Sequence, residues 1–178
     1  MWALVEDNNV TQVFTRPKAL TIGENQYQAN IFNLWSTSEL EALGIYAVVV
    51  DNTNLKNKEY YVNTNQTFAF SDGTVTASYG TATAKDLATL KTEHKEKINA
   101  QAGSLLAQYD WYTLRAADGG TAVPSNVATY RTAVRAKANE MCTKIDAAVD
   151  VDALADLYLP TTTPPAADRL GEWPTLGS

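Results

Sequence analysis

The pattern of apolar and polar positions changes period once along the chain, near Thr83. Before that point short apolar runs recur as they do in strands. Trp2–Val5 and Val10–Phe14 flank the polar turn Glu6-Asp7-Asn8-Asn9. Asn and Asp tolerate positive φ, so a β-hairpin is predicted there. Arg16-Pro17 breaks its second strand, because proline lacks the donor a ladder needs. The next stretch carries Ile22, Tyr27, Ile31 and Phe32 among polar residues and reads as loop with one strand at most. Ser36 or Thr37 is placed to cap a short helix through Leu43, with Glu39 and Glu41 near its positive end. Gly44 suits the C′ position of that helix. Ile45–Val50 is β-branched and continuous and predicts a buried strand. Tyr60–Val62, Thr67–Phe70 and Val75–Tyr79 follow, with Asp72-Gly73 joining the last two as a hairpin. The expected product is a small, mostly antiparallel sheet with one short helix.

Beyond Thr83 the period becomes that of a helix. Leu87, Leu90, His94, Ile98, Ala102, Leu105 and Tyr109 recur at spacings of three and four, on one helical face. Such a helix is roughly 35–40 Å long. Val127, Tyr130, Val134, Ala138, Met141, Ile145 and Ala148 repeat the pattern, and the small Ala102 and Ala138 permit close approach. Between the two runs lie Asp118, Gly119, Gly120 and Pro124, residues that end helices and make turns. The arrangement predicts an αα-hairpin whose joint, Tyr109–Arg135, is the centre of the C-terminal half. Asp150 can cap a third, short helix carrying Leu154, Leu157 and Tyr158. The stretch Pro160–Pro165, PTTTPP, reads as extended linker, and the chain ends LGEWPTLGS. The expected fold class is therefore α+β, with a β-rich domain at 1–82, a helical hairpin at 83–159 and an extended tail at 160–178. Ordering so loose a tail needs compensation, so Trp173-Pro174 is expected to dock on this chain or on a partner.

Charge narrows the functions. The net charge is −6, with acidic residues in both halves, which argues against a nucleic-acid surface built on clustered Lys and Arg. No apolar run reaches the ~18–20 residues that cross a bilayer, so no membrane role is expected. The opening MWALVEDNN turns acidic too early for a signal peptide. Cys142 is the single cysteine, which leaves no intrachain disulfide and suits a reduced, intracellular protein.

Candidate chemistry is sparse. His94, the sole histidine, sits within an apolar stripe with no HExxH pattern around it and reads as structural. Cys142 lies beside Met141 and reads as a small buried hydrophobe. Glu93 and Glu96 belong to a lysine-rich solvated face, and Gly119-Gly120 lack the strand–GxxxxGK[ST]–helix context of a phosphate cradle. Nucleophile, base and oxyanion donor do not coincide anywhere, so a non-enzyme without cofactor or metal is expected. The residues left over are Trp111, Arg115, Tyr130, Arg131, Arg135 and Trp173. Trp and Arg are the types most enriched at interface hot spots, which makes these the candidate partner-binding set. On that reading Arg131 and Arg135 serve binding and contribute little to stability. The alternative has Trp111 and Tyr130 closing the hairpin core while the arginines pair with Asp110 or Asp118.

The motif YDW-x2-LR, a glycine-containing loop and VP-x5-YR-x3-R together resemble the C-terminal module of bacteriophage tail assembly chaperones, or tail-fibre assembly proteins. The matching positions are Asp110, Trp111, Arg115, Pro124, Tyr130, Arg131 and Arg135, and Trp173-Pro174 matches the Trp-Pro ending common in that family. MWALVEDNNV, LWSTSELEALGIY and VVVDNT also look like N-terminal modules of small phage tail proteins. The continuous match is mainly Leu105–Arg135, and the second helix and linker are longer than the family pattern. The resemblance implies a protein of the host cytoplasm that helps a trimeric tail fibre fold, trimerise or attach. A second implied role is a baseplate or tail component retained in the virion that links fibre to tail. Aromatic residues in the β-rich half raise a third, a carbohydrate- or receptor-binding module, which needs an exposed Trp35 or Tyr60/Tyr61 platform.

Overall fold

The computed structural model describes residues 1–159 and 169–177. It is a mixed α+β chain that divides into two compact units, Met1–Thr83 and Ala84–Ser178. The expected linker Pro160–Pro165 lies outside the described residues.

The first unit is built on a five-stranded sheet. Strands β1 (Trp2–Glu6) and β2 (Asn9–Phe14) form the expected hairpin, with Asp7 and Asn8 both at positive φ in its turn. A second hairpin, β3 (Leu20–Ile22) with β4 (Asn25–Tyr27), and a one-turn helix α1 (Ile31–Leu34) occupy the stretch expected to be mostly loop. Helix α2 (Thr37–Ala42) begins at Ser36 with a capping box: Ser36 Oγ accepts from the Glu39 N–H, and Glu39 Oε2 accepts from the Ser36 N–H at 2.8 Å. The Ser36 N–H, together with the Ser36 hydroxyl donating to the same Oε2 at 2.7 Å, holds the Glu39 carboxyl below the ordinary glutamate range.

Gly44 follows at φ +78° and turns the chain into β5 (Ile45–Asp51). Its carbonyl accepts the Val5 N–H at 2.8 Å, so the chain returns hard against β1. The remaining strands are β6 (Tyr61–Val62), β7 (Gln66–Ser71), β8 (Thr74–Tyr79) and β9 (Thr83–Ala84), with β6 and β9 forming a separate small ladder. The main sheet runs β2-β1-β5-β8-β7 and curls until its edge strands β2 and β7 approach. Its ladders are antiparallel except one: β5 and β8 run parallel, with Val48 opposite Val75 and Asp51 opposite Ser78. The core of this unit gathers Leu4, Phe14, Leu20, Phe32, Leu40 and Ile45. Trp2 and Phe14 meet Phe32 at ring separations of 5.0 and 5.7 Å.

The expectation that Ile45–Val50 is buried throughout is corrected. Ile45 is buried, but Val49 and Val50 are 55% and 47% exposed, in the part of β5 beyond its Ile45–Ala47 pairing with β1. Continuity of apolar residues reports strand propensity and does not by itself decide burial.

In the second unit α3 (Leu87–Ala107) is capped by Asp86, whose side chain accepts from the Thr89 N–H at 2.8 Å. Helix α5 (Ser125–Ala147) packs along it, antiparallel: Lys91 and Lys95 of α3 reach Asp146, while Arg131 reaches the Leu106 carbonyl. Leu90, His94, Ile98 and Ala102 face Val127, Tyr130, Val134, Ala138, Met141 and Ile145, all buried as the period required. Helix α6 (Val151–Asp156) starts at Asp150, which accepts from the Ala153 N–H at 2.7 Å. Between α3 and α5 the expected turn-rich joint holds a further helix, α4 (Asp110–Ala117).

Candidate partner-binding site

Helix α3 was expected to reach Tyr109. It stops at Ala107, and the chain bends at Tyr109 (φ −119°, ψ 8°) before α4 begins. Two contacts explain the bend. Arg131 on α5 donates through Nη1 to the Leu106 carbonyl and to Asp110 Oδ1, both at 2.8 Å, so one guanidinium joins the last turn of α3 to the first turn of α4. The Tyr109 ring packs edge-on against Tyr130 with centroids 5.4 Å apart. At its other end α4 closes in a Schellman motif: the Gly119 N–H donates to the Ala116 carbonyl and the Gly120 N–H to the Arg115 carbonyl at 2.9 Å. Gly119 stands at φ +82°, and a Cβ on Gly120 would lie 2.8 Å from the Arg115 carbonyl oxygen. This gives each glycine of the pair a backbone role.

Helix α4 buries none of its residues. Trp111, Leu114 and Arg115 share a face at spacings of three and four. Trp111 is 51% and Leu114 66% exposed. The Arg115 guanidinium lies over both neighbouring rings, 4.7 Å from Trp111 and 5.2 Å from Tyr112, and these two rings are themselves 3.8 Å apart. Arg115 Nε has no hydrogen-bond partner among the described residues. A cation stacked on aromatic faces is held in place without a carboxylate.

The six residues singled out from sequence therefore divide. Trp111 and Arg115 meet on the exposed face of α4. Tyr130 and Arg131 are buried, the first against Tyr109 and the second on Leu106 and Asp110. Arg135 is exposed, with no hydrogen bond or ion pair among the described residues. Trp173 stands apart, with its indole N–H on Gln101 Oε1 of α3 at 3.1 Å. Leu114 was missed. Its signal, an apolar side chain three residues after Trp111 on a helix, was legible once a separate α4 was recognised.

The other groups weighed from sequence have local explanations. His94 is buried, and its Nδ1 meets the Tyr158 hydroxyl at 2.7 Å. Burial raises the thiol pKa of Cys142, opposed by the charge of nearby Lys95. In the β-rich unit Tyr60 is buried, Tyr61 lies under the Lys56 ammonium, and Trp35 is exposed with its ring edge-on to Tyr27. Among the described residues no three His, Cys, Asp or Glu side chains converge as a metal site would require, and no helix is long and apolar enough to cross a membrane. Comparison of the chain with family models, with curated proteins and with solved structures yields no match.

Proposed function

We propose that this protein acts by binding, without bond chemistry, as a bacteriophage tail-fibre assembly chaperone or fibre-associated tail protein. The observation that carries the reading is α4, a helix with no buried residue that presents Trp111 and Leu114 to solvent beside a guanidinium held on two rings. Exposed apolar side chains rimmed by polar groups mark protein-binding surfaces, and Trp and Arg dominate their energetics. The YDW-x2-LR motif that resembles the phage family is the sequence of this same helix. A β-rich fibre exposes strand edges and apolar surface before it trimerises, which is what such a partner would cover.

The test is co-expression with a tail-fibre protein from the same genome. The fibre is expected to trimerise with the wild-type chain. With Trp111→Ala/Leu114→Ala, affinity for the fibre is expected to fall about 30-fold or more, the cost of removing a hot spot. A fibre that trimerises equally well alone ends the chaperone reading. Fixed copy number in purified particles assigns the chain to the virion instead.

A further inference from the structure

Residues 169–177 return across the helical unit as a strap. Leu170 is buried, and its N–H donates to the Leu157 carbonyl at 3.0 Å. The Trp173 indole is held on Gln101 of α3, and Asn126 Nδ2 of α5 donates to the Gly177 carbonyl at 3.2 Å. Trp173 stands between two open clefts of about 420 and 550 Å³. One is lined by Ala100 and Ser104 of α3, the other by Ala133 and Ala136 of α5. Small side chains on both helices line these clefts beside the indole.

The strap hydrogen-bonds to exposed Gln101 and Asn126, while the core residues Ile98, Val134, Ala138 and Met141 of the helix pair are buried. Ala100, Ser104 and Ala136 remain exposed with the strap in place. The strap is thus anchored by buried Leu170 and seated on exposed residues of both helices through Trp173 and Gly177.

We propose that the α3/α5 groove is a peptide-binding groove carrying its own ligand, and that residues 169–177 of a second copy of this chain take the same seat. A second copy offers an identical segment with the same indole donor for Gln101. Residues 160–168 join the strap to the rest of the chain, and nine residues can span at most about 30 Å, further than the ~10–12 Å width of a helix. A strap can therefore cross to a copy lying alongside. Tethering gives the chain's own strap an effective concentration in the millimolar range, so isolated chains keep it and copies held together exchange it. This inference does not rest on the fibre reading, because the chain alone tests it.

The probe is a labelled peptide of residues 169–177, titrated into the full-length chain and followed by fluorescence anisotropy. Wild type binds weakly, because its own strap competes. The full-length Trp173→Ala chain, whose seat is vacated, is expected to bind at least ~10-fold more tightly. Gln101→Ala in that background lowers the affinity again, and a peptide with alanine for tryptophan does not bind. Equal affinity for wild type and Trp173→Ala, or no binding to either, overturns the proposal. Should Trp173→Ala not fold, the Trp173 indole N–H resonance of wild type decides: it shifts with millimolar peptide, and a fixed resonance overturns the groove. Sedimentation of wild type at millimolar concentration is expected to reveal a dimer. A chain that stays monomeric there overturns the exchange.

Discussion

Replacing Arg131 by methionine removes one guanidinium and with it the tie between the end of α3 and the start of α4. Methionine retains a flexible apolar stem to fill the space, so the loss is mainly electrostatic. Arg131 is 8% exposed and its Nη1 serves two acceptors at 2.8 Å. Hydrogen bonds to a charged group contribute about 1.5–3 kcal/mol. Two facts keep the cost below the ~3–5 kcal/mol of breaking a fully buried ion pair. The Asp110 side chain is 54% exposed, so its carboxylate is hydrated when the partner goes. The Leu106 carbonyl still accepts the N–H groups of Gln108 and Tyr109. The expected loss is about 2 kcal/mol, measured by urea unfolding of the full chain followed by far-UV circular dichroism. Asp110→Asn should cost under about 1 kcal/mol, and Arg135→Ala should stay within about 0.5 kcal/mol. This replaces the expectation from sequence that both arginines are dispensable for stability. An Arg131→Met chain as stable as wild type, with Arg135→Ala the costly change, would refute the account of the joint.

Further outcomes follow from single contacts. Gly44→Ala should destabilise the first unit by more than about 1–2 kcal/mol, since φ is +78° and the new Cβ would lie 2.6 Å from the Val5 carbonyl oxygen. Gly73→Ala, at φ +76° with open space around it, should cost only the backbone preference, and equal losses at both sites would sink the steric argument. Burial, with the Glu59 charge behind it, pushes the Tyr60 hydroxyl up to about 12. An unfolded tyrosine titrates near ~10, so between roughly pH 10 and 12 the unfolded chain sheds a proton that the folded chain keeps, and stability falls as pH rises. Tyr60→Phe should flatten that decline in the urea midpoint, and parallel curves for the two proteins would contradict it. Trp111→Ala/Leu114→Ala, which replaces two exposed side chains, should leave the urea midpoint within about 0.5 kcal/mol of wild type while partner binding is lost.

Local rules were enough wherever one residue type decides the geometry. The Asp7-Asn8 and Asp72-Gly73 turns, the Ser36–Glu39 box and the Asp150 cap all act within four residues and were legible. The buried stripe of α5 was legible for the same reason, since helical period and burial coincide from Val127 to Ile145. The three-residue strands β3 and β4 were not, being too short to display a period. Helix α1 has no capping side chain to announce it. The separation of α3 from α4 was hidden because Gln108 and Tyr109 are acceptable helix residues. The break is imposed by Arg131, more than twenty positions later. The candidate site was half legible on the same principle: tryptophan and arginine announce themselves by type, but only packing sorts displayed Trp111 and Arg115 from interior Tyr130 and Arg131.

The parallel seam between β5 and β8 has a bearing on how the chain is made. Val49 pairs with Thr76, about 27 residues further on, so the seam cannot zip until that distance has been translated. At ~5–20 residues per second the wait is roughly one to five seconds. Throughout it a nascent chain carries Val48, Val49 and Val50 as a sticky, unzipped ribbon outside the ribosome. Translation speed across the intervening stretch therefore sets how long that ribbon stays open to aggregation or to capture by a cellular holdase.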